Sequence, residues 1–89
     1  MAPIEGRFIS PTLEENILAQ NGKERHFNVN DLRVILKGYE TGGDVSYKHV
    51  SQKNYRKIHV EPGEIIEKQV KVVAKGGVIE KIGMRFIGK

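Results

Sequence analysis

The sequence predicts an α+β domain: a small, mostly antiparallel sheet of roughly three to five strands, an N-terminal helix and a second helix at about 62–75. Valine and isoleucine number 19 against 4 leucines, and β-branched residues pack well on a pleated surface. Between Arg25 and Val60 apolar and polar residues alternate with a period of two, the mark of half-buried strands. From Glu61 to Lys75 the charged residues recur at helical spacings instead.

Residues 1–9 read as a flexible N-terminal segment ahead of one α+β domain over residues 10–89. Ile4-Glu5-Gly6-Arg7 also spells a protease recognition tetrapeptide of the kind placed between a tag and a protein, the alternative to a natural loose start. The next segment carries helix signals. Ser10 or Thr12 can cap it, Pro11 suits a first turn, Thr12 and Glu15 have capping-box spacing, and Asn21-Gly22 supplies a stop. Leu13, Ile17 and Leu18 would face the core, and at roughly two to three turns such a helix must dock to be stable.

Leu32, Val34 and Leu36 alternate with Arg33, Ile35 and Lys37, so 31–37 reads as a strand, with a helix as the lesser alternative. Thr41-Gly42-Gly43-Asp44 signals a tight hairpin, Val45–Val50 its return strand, Gln52-Lys53 a second turn and Tyr55–Val60 a third strand. Residues whose numbers sum to 105 then face one another, subject to a slip of one residue. That register sets Lys48 opposite Lys57, His49 opposite Arg56 and His59 opposite Ser46.

Over 61–75, Pro62 suits a first helical turn and Gly76-Gly77 a stop. Glu64, Glu67, Lys68, Lys71 and Lys75 fall on one arc of about 100°, leaving Ile65, Ile66, Val70, Val72, Val73 and Ala74 on the other side. Glu64–Lys68 and Glu67–Lys71 are i,i+4 pairs in the favoured order. The competing reading is a β-hairpin of 64–74 and 78–87 around Gly76-Gly77, in which Lys68 and Lys71 fall on opposite faces and neither face is clean. Val78 to Ile87 forms the last strand, with Val78, Ile82, Met84 and Phe86 inward and Lys81 and Arg85 outward.

Composition narrows the function. The 89 residues suit one domain, and 29% charged residues with a mean hydropathy of −0.43 suit a soluble one. The absence of cysteine excludes a disulfide scaffold, a thiol nucleophile and thiolate zinc sites. No apolar run approaches the roughly 18 residues of a membrane span and no signal-peptide core is present, so the expected compartment is the reducing cytoplasm. There is no Gly-x-Ser-x-Gly, no phosphate-loop lysine and no His-Glu-x-x-His, which leaves no catalytic residue to nominate. Glu14 and Glu15 would diverge on a helix as a solvated pair, and His49 and His59 lie on different faces, so neither a metal nor a cofactor is expected.

The charge is uneven. A formal +4 divides into −2 over residues 1–44 and +6 over residues 45–89. The stretch 45–60 holds Lys48, Lys53, Arg56 and Lys57 with His49 and His59, interleaves Tyr47 and Tyr55, and contains no acid. A lysine directly across from a lysine destabilises a sheet unless an anionic partner offsets it.

Ile58-x-Val60, a helix, then Gly76-Gly77-x-Ile79-x-x-Ile82 resembles the small rod-capping linker domain of phycobilisomes over about 25 residues. That resemblance implies a non-catalytic basic protein seated in an acidic assembly, with Arg56, Lys68, Lys71 and Lys75 facing the partner. The order helix, three strands, helix also echoes the double-stranded-RNA-binding domain, although Glu61, Glu64 and Glu67 stand where its lysine cluster would open the second helix.

The expected function is a non-enzymatic assembly or adaptor module that docks on an acidic protein surface or larger assembly; the alternative is DNA or RNA binding by the tyrosine-bearing hairpin 45–60. The nominated contacts are Lys48, Lys53, Tyr55, Arg56, Lys57, His59, Lys68, Lys71, Lys75 and Arg85, with Tyr55 or Phe86 as anchors.

Overall fold

A computed structural model describes residues 3–19, 22–29, 31–49, 52–71 and 81–88. The chain forms strands β1 (Ile4–Ser10), β2 (Leu13–Leu18), β3 (Glu24–Asn28), β4 (Asp31–Gly38), β5 (Gly43–His49), β6 (Arg56–Val60), β7 (Ile65–Lys71) and β8 (Lys81–Gly88). They build two four-stranded antiparallel sheets, β2-β1-β4-β7 and β3-β8-β5-β6. Between them β1 and β2, and β5 and β6, are joined as neighbours in one sheet, and every other step along the chain changes sheet. The fold is a β-sandwich. The α+β expectation is overturned: among the described residues there is no helix.

The core lies between the sheets. Leu32, Val34 and Leu36 of β4 and Ile82, Met84 and Phe86 of β8 point into it on alternate positions, as their period-two spacing predicts. Phe8 of β1 stacks on Phe27 of β3 at 4.8 Å and meets the ring of Phe86 edge-on at 6.0 Å, so three aromatic rings tie one sheet to the other.

Both predicted helices fail for one physical reason. Residues i and i+4 share a side on a helix and also on a strand. Leu13 and Ile17 do point inward together, but from β2, with Glu15 between them and Leu18 turned outward. The helix-start residues serve a turn instead: Pro11 and Thr12 connect β1 to β2, and the Ser10 hydroxyl accepts the Thr12 amide at 3.3 Å. At 61–64, Pro62 and Gly63 (φ +77°) are the central residues of a turn closed by Glu64 N–H to Glu61 C=O at 3.0 Å. A proline followed by a left-handed glycine is a type II turn pair, not a helix start. Residues 65–71 are then edge strand β7, paired with β4 rather than with β8. The helix required by the likeness to rod-capping linkers is therefore strand as far as Lys71; Gly76-Gly77 and the rest of 72–80 lie outside the described residues.

Three further expectations are corrected. Within the segment expected to be loose, the described residues from Ile4 onward belong to β1, an interior strand of its sheet, and Ile4 and Phe8 are fully buried. Thr41-Gly42-Gly43-Asp44 is not a hairpin, because β4 and β5 belong to different sheets and this segment carries the chain from one to the other. The β5–β6 pairing is displaced by two residues, with Tyr47 opposite Arg56, Ser46 opposite Lys57 and Asp44 opposite His59. An even displacement keeps each side chain on its predicted face and changes its partner.

Candidate functional site: a basic sheet face and the groove beside it

The outward side chains of β3-β8-β5-β6 form the first candidate surface. Alternation puts Glu24, His26, Lys48, Lys57, His59, Lys81 and Arg85 there, opposite the buried Phe27, Val45, Ile58 and Met84. Tyr55, just before β6, lies against this face. Gly83 sits between His26 and Lys48 in the strand register and leaves a notch. A Cβ at Gly83 would fall 2.9 Å from Glu24 Oε1, so the glycine makes room for that carboxylate to lie across the strand. Glu24 thereby accepts the Tyr55 hydroxyl proton and comes within 3.5 Å of both Arg85 Nη2 and His26 Nε2.

Lys48 Nζ and Arg85 Cζ each lie 5.1 Å from the centroid of the Tyr55 ring. The hydrogen bond from Tyr55 holds the Glu24 carboxyl below its ordinary range against the opposing effect of burial, with His26 and Arg85 adding to it. The same bond, reinforced by burial, pushes the Tyr55 phenol up.

The lysine pair inferred from sequence does not form. Lys57 stands across from Ser46, and its ammonium lies 4.0 Å from Asp44 Oδ2. Asp44 also contacts His59 Nδ1 at 2.6 Å, and Glu61 contacts His59 Nε2 at 2.8 Å. With both ring nitrogens against carboxylates, His59 offers no free nitrogen for proton transfer. The acid-free character of 45–60 is thus a property of the sequence window, since Glu24, Asp44 and Glu61 fold against it.

An excess of cations survives this pairing. Among the described residues, Lys48, Lys57, Lys81 and Arg85 on this face stand against Glu24, Asp44 and Glu61. On the outer face of the other sheet, Arg7, Arg33, Lys37 and Lys71 are matched by Glu5, Glu14, Asp31 and Glu67. Arg7 meets Glu14 at 2.5 Å and Arg33 meets Glu67 at 2.6 Å. Glu14 and Glu15, expected to diverge on a helix as a solvated pair, point to opposite sides of strand β2 instead, and both are paired, Glu14 with Arg7 and Glu15 with Arg25.

The second candidate is a groove of about 250 Å³ at the side of the sandwich where the edge strands β6 and β7 lie. Tyr47, His49 and Arg56 line it from one sheet and Lys68, Val70 and Lys71 from the other, with Gln52 and Gln69; none of these is acidic. Lys68 Nζ lies 5.0 Å from the Tyr47 ring centroid, bridging the sheets. His49 is half-buried, and its Nδ1 is enclosed without a hydrogen-bond partner.

The ten predicted contacts thus divide. Lys48, Tyr55, Lys57, His59 and Arg85 share the sheet face, while Arg56, Lys68 and Lys71 line the groove. Lys53 is exposed in the connection before β6, and Lys75 lies outside the described residues. Phe86, offered as an anchor, is buried and cannot meet a partner. Sequence reasoning missed Glu24 and Asp44, which come from outside the basic stretch, and Tyr47 and His49 as groove walls. The available signal for the last two was their inward register after Val45.

Among the described residues no helix is long and apolar enough to cross a membrane, and no group of three or more His, Asp or Glu is placed to hold a metal ion. No family model, curated protein or solved structure matches this chain.

Proposed function

We propose that this protein is a non-enzymatic cytoplasmic binding module that docks the outer face of its β3-β8-β5-β6 sheet onto an acidic surface of a partner protein. One observation carries the reading: among the described residues this face holds four cations against three carboxylates, while the opposite outer face holds four against four. Complementary charge sets which surfaces meet and in what register. Tyr55, half-buried and held by Glu24, is the rigid aromatic the face offers to an interface.

A protein is favoured over nucleic acid by the state of the tyrosines. Sequence-tolerant binding to single strands uses aromatic faces on which bases stack. Here Tyr55 already has two cations against its ring, Tyr47 has Lys68, and Tyr39 has Lys37 at 5.4 Å. The three phenylalanines are buried.

The test pairs retrieval with titration. Partners are captured from lysate with and without nuclease, and the purified domain is titrated with single- and double-stranded nucleic acid at two salt concentrations. The reading expects a defined, nuclease-resistant protein complex that Lys48→Glu with Lys57→Glu weakens by at least about tenfold. Nuclease-sensitive material alone, together with nucleic-acid affinity falling steeply with salt, would replace it by the nucleic-acid alternative.

A further inference from the structure

We infer that the groove beside β6 and β7 is a binding site for a small oxyanion, a phosphate or phosphate monoester, separate from the docking face. On β7 the inward positions are Ile66, Lys68 and Val70; on β6 they are Arg56, Ile58 and Val60. A cation therefore occupies a core-facing position on each of two edge strands, one from each sheet, where the strand pattern calls for an apolar residue. Departures of this kind concentrate at functional sites.

An inward lysine on an edge strand has a second use, since it discourages edge-to-edge pairing between molecules. That role accounts for one inward charge on each edge, Lys68 on β7 and Arg56 on β6. It does not explain why Arg56, His49, Lys68 and Lys71 line one cleft, or why among the described residues no acidic side chain lines it. Among the described residues neither Arg56 nor Lys71 has an ion pair or a side-chain hydrogen bond. Asp31, across from Lys71 on the outer face, accepts from Gln69 Nε2 at 2.8 Å and does not line the groove.

The parts suit a tetrahedral oxyanion. Arg56 supplies a planar fork of donors, and Lys68, set against the Tyr47 ring, supplies a point charge. His49 stands in the same wall, its enclosed Nδ1 without a hydrogen-bond partner. At about 250 Å³ the groove is below the roughly 300–1,000 Å³ of pockets for drug-sized ligands, which fits an anion with little attached to it.

The test is an amide NMR titration of the full chain at constant ionic strength, using inorganic phosphate, glycerol phosphate and acetate. Saturable shifts at the groove residues with a millimolar or tighter Kd are expected for phosphate, and a weaker response for acetate. Arg56→Gln and Lys68→Gln should each weaken phosphate binding by about tenfold. Lys48→Gln with Lys57→Gln should leave it unchanged, which separates this site from the docking face. Tighter binding of glycerol phosphate than of inorganic phosphate identifies a monoester ligand; the reverse identifies the free ion. Failure to saturate by about 50 mM, equal response to acetate, or full affinity in Arg56→Gln overturns the inference. Arg56 is exposed at the end of β6, so that variant decides the matter even if Lys68→Gln perturbs the edge.

Discussion

Tyr55 donates its hydroxyl proton to Glu24, a residue 31 positions earlier and on the far side of β8, across the gap that Gly83 leaves in that strand. The bond joins the connection before β6 to edge strand β3 and passes over two interior strands. It depends on a neutral phenol and an ionised carboxylate, so pH tests it from both sides.

On the acid side the folded-state carboxyl of Glu24 is lowered, so its contribution is present above the ordinary carboxylate range near about 4.3 and is lost as pH falls through the folded value. On the alkaline side the Tyr55 phenol is raised; its contribution is present below about 10 and is lost as pH rises through the folded value. Tyr55→Phe should cost about 1 kcal/mol at pH 7. Denaturant melts should find that deficit shrinking below about pH 4. A deficit that is constant from pH 3 to pH 8 would assign the loss to packing instead.

Gly83→Ala separates the bond from the strand. Its Cβ meets the end of a flexible side chain, Glu24 Oε1, so the backbone has no reason to move. Reduced freedom of the unfolded chain contributes about 0.4–1 kcal/mol, which offsets a displaced hydrogen bond of similar size. Stability should stay within about 1 kcal/mol of wild type. Ultraviolet titration should meanwhile find the Tyr55 phenol ionising closer to its ordinary value, and an unmoved phenol would rule out displacement of Glu24.

Removal of Lys57 is informative because sequence and structure disagree on its sign. Opposite Lys48 it would be a liability, and Lys57→Gln would stabilise the domain. Beside Asp44 at 4.0 Å it is a weak, exposed partner, and the substitution should bring no gain in thermal stability at low salt. A clear rise in Tm would restore the facing-lysine register.

The core makes the largest demand. Phe8 is fully buried against Phe27 and Phe86, and Phe8→Ala should cost about 3–5 kcal/mol. A domain of this size is stable by roughly 4–13 kcal/mol, so chemical denaturation should find the midpoint strongly lowered, with the variant unfolded if the wild type lies at the low end of that range. A cost below about 1 kcal/mol would mean that the rings do not join the sheets as described.

Strand β4 was legible in the sequence because three inward residues, Leu32, Val34 and Leu36, alternate without interruption. Strands β5, β6 and β8 were legible for the same reason. Strand β7 was not, because Lys68 stands at an inward position and Glu67 and Lys71 then complete a helical spacing. The residue that spoils the strand pattern is the one that lines the groove, so the element and its candidate site were hidden together. Sheet membership was hidden for another reason: Gly42-Gly43 signals a reversal of the chain, and nothing local distinguishes a hairpin from a passage to the facing sheet. Glu24 and Asp44 escaped notice because cross-strand neighbours are fixed by topology and not by sequence distance.

The unequal charge of the two broad faces has a consequence before any contact is made. The two outer faces lie on opposite sides of the stacked sheets. One cationic and one neutral face create an electric moment from one side to the other, with a torque on the molecule in the field of an approaching anionic surface. Encounters at low ionic strength are then biased toward one broad side, and the bias fades as salt shortens the Debye length, about 8 Å at physiological ionic strength.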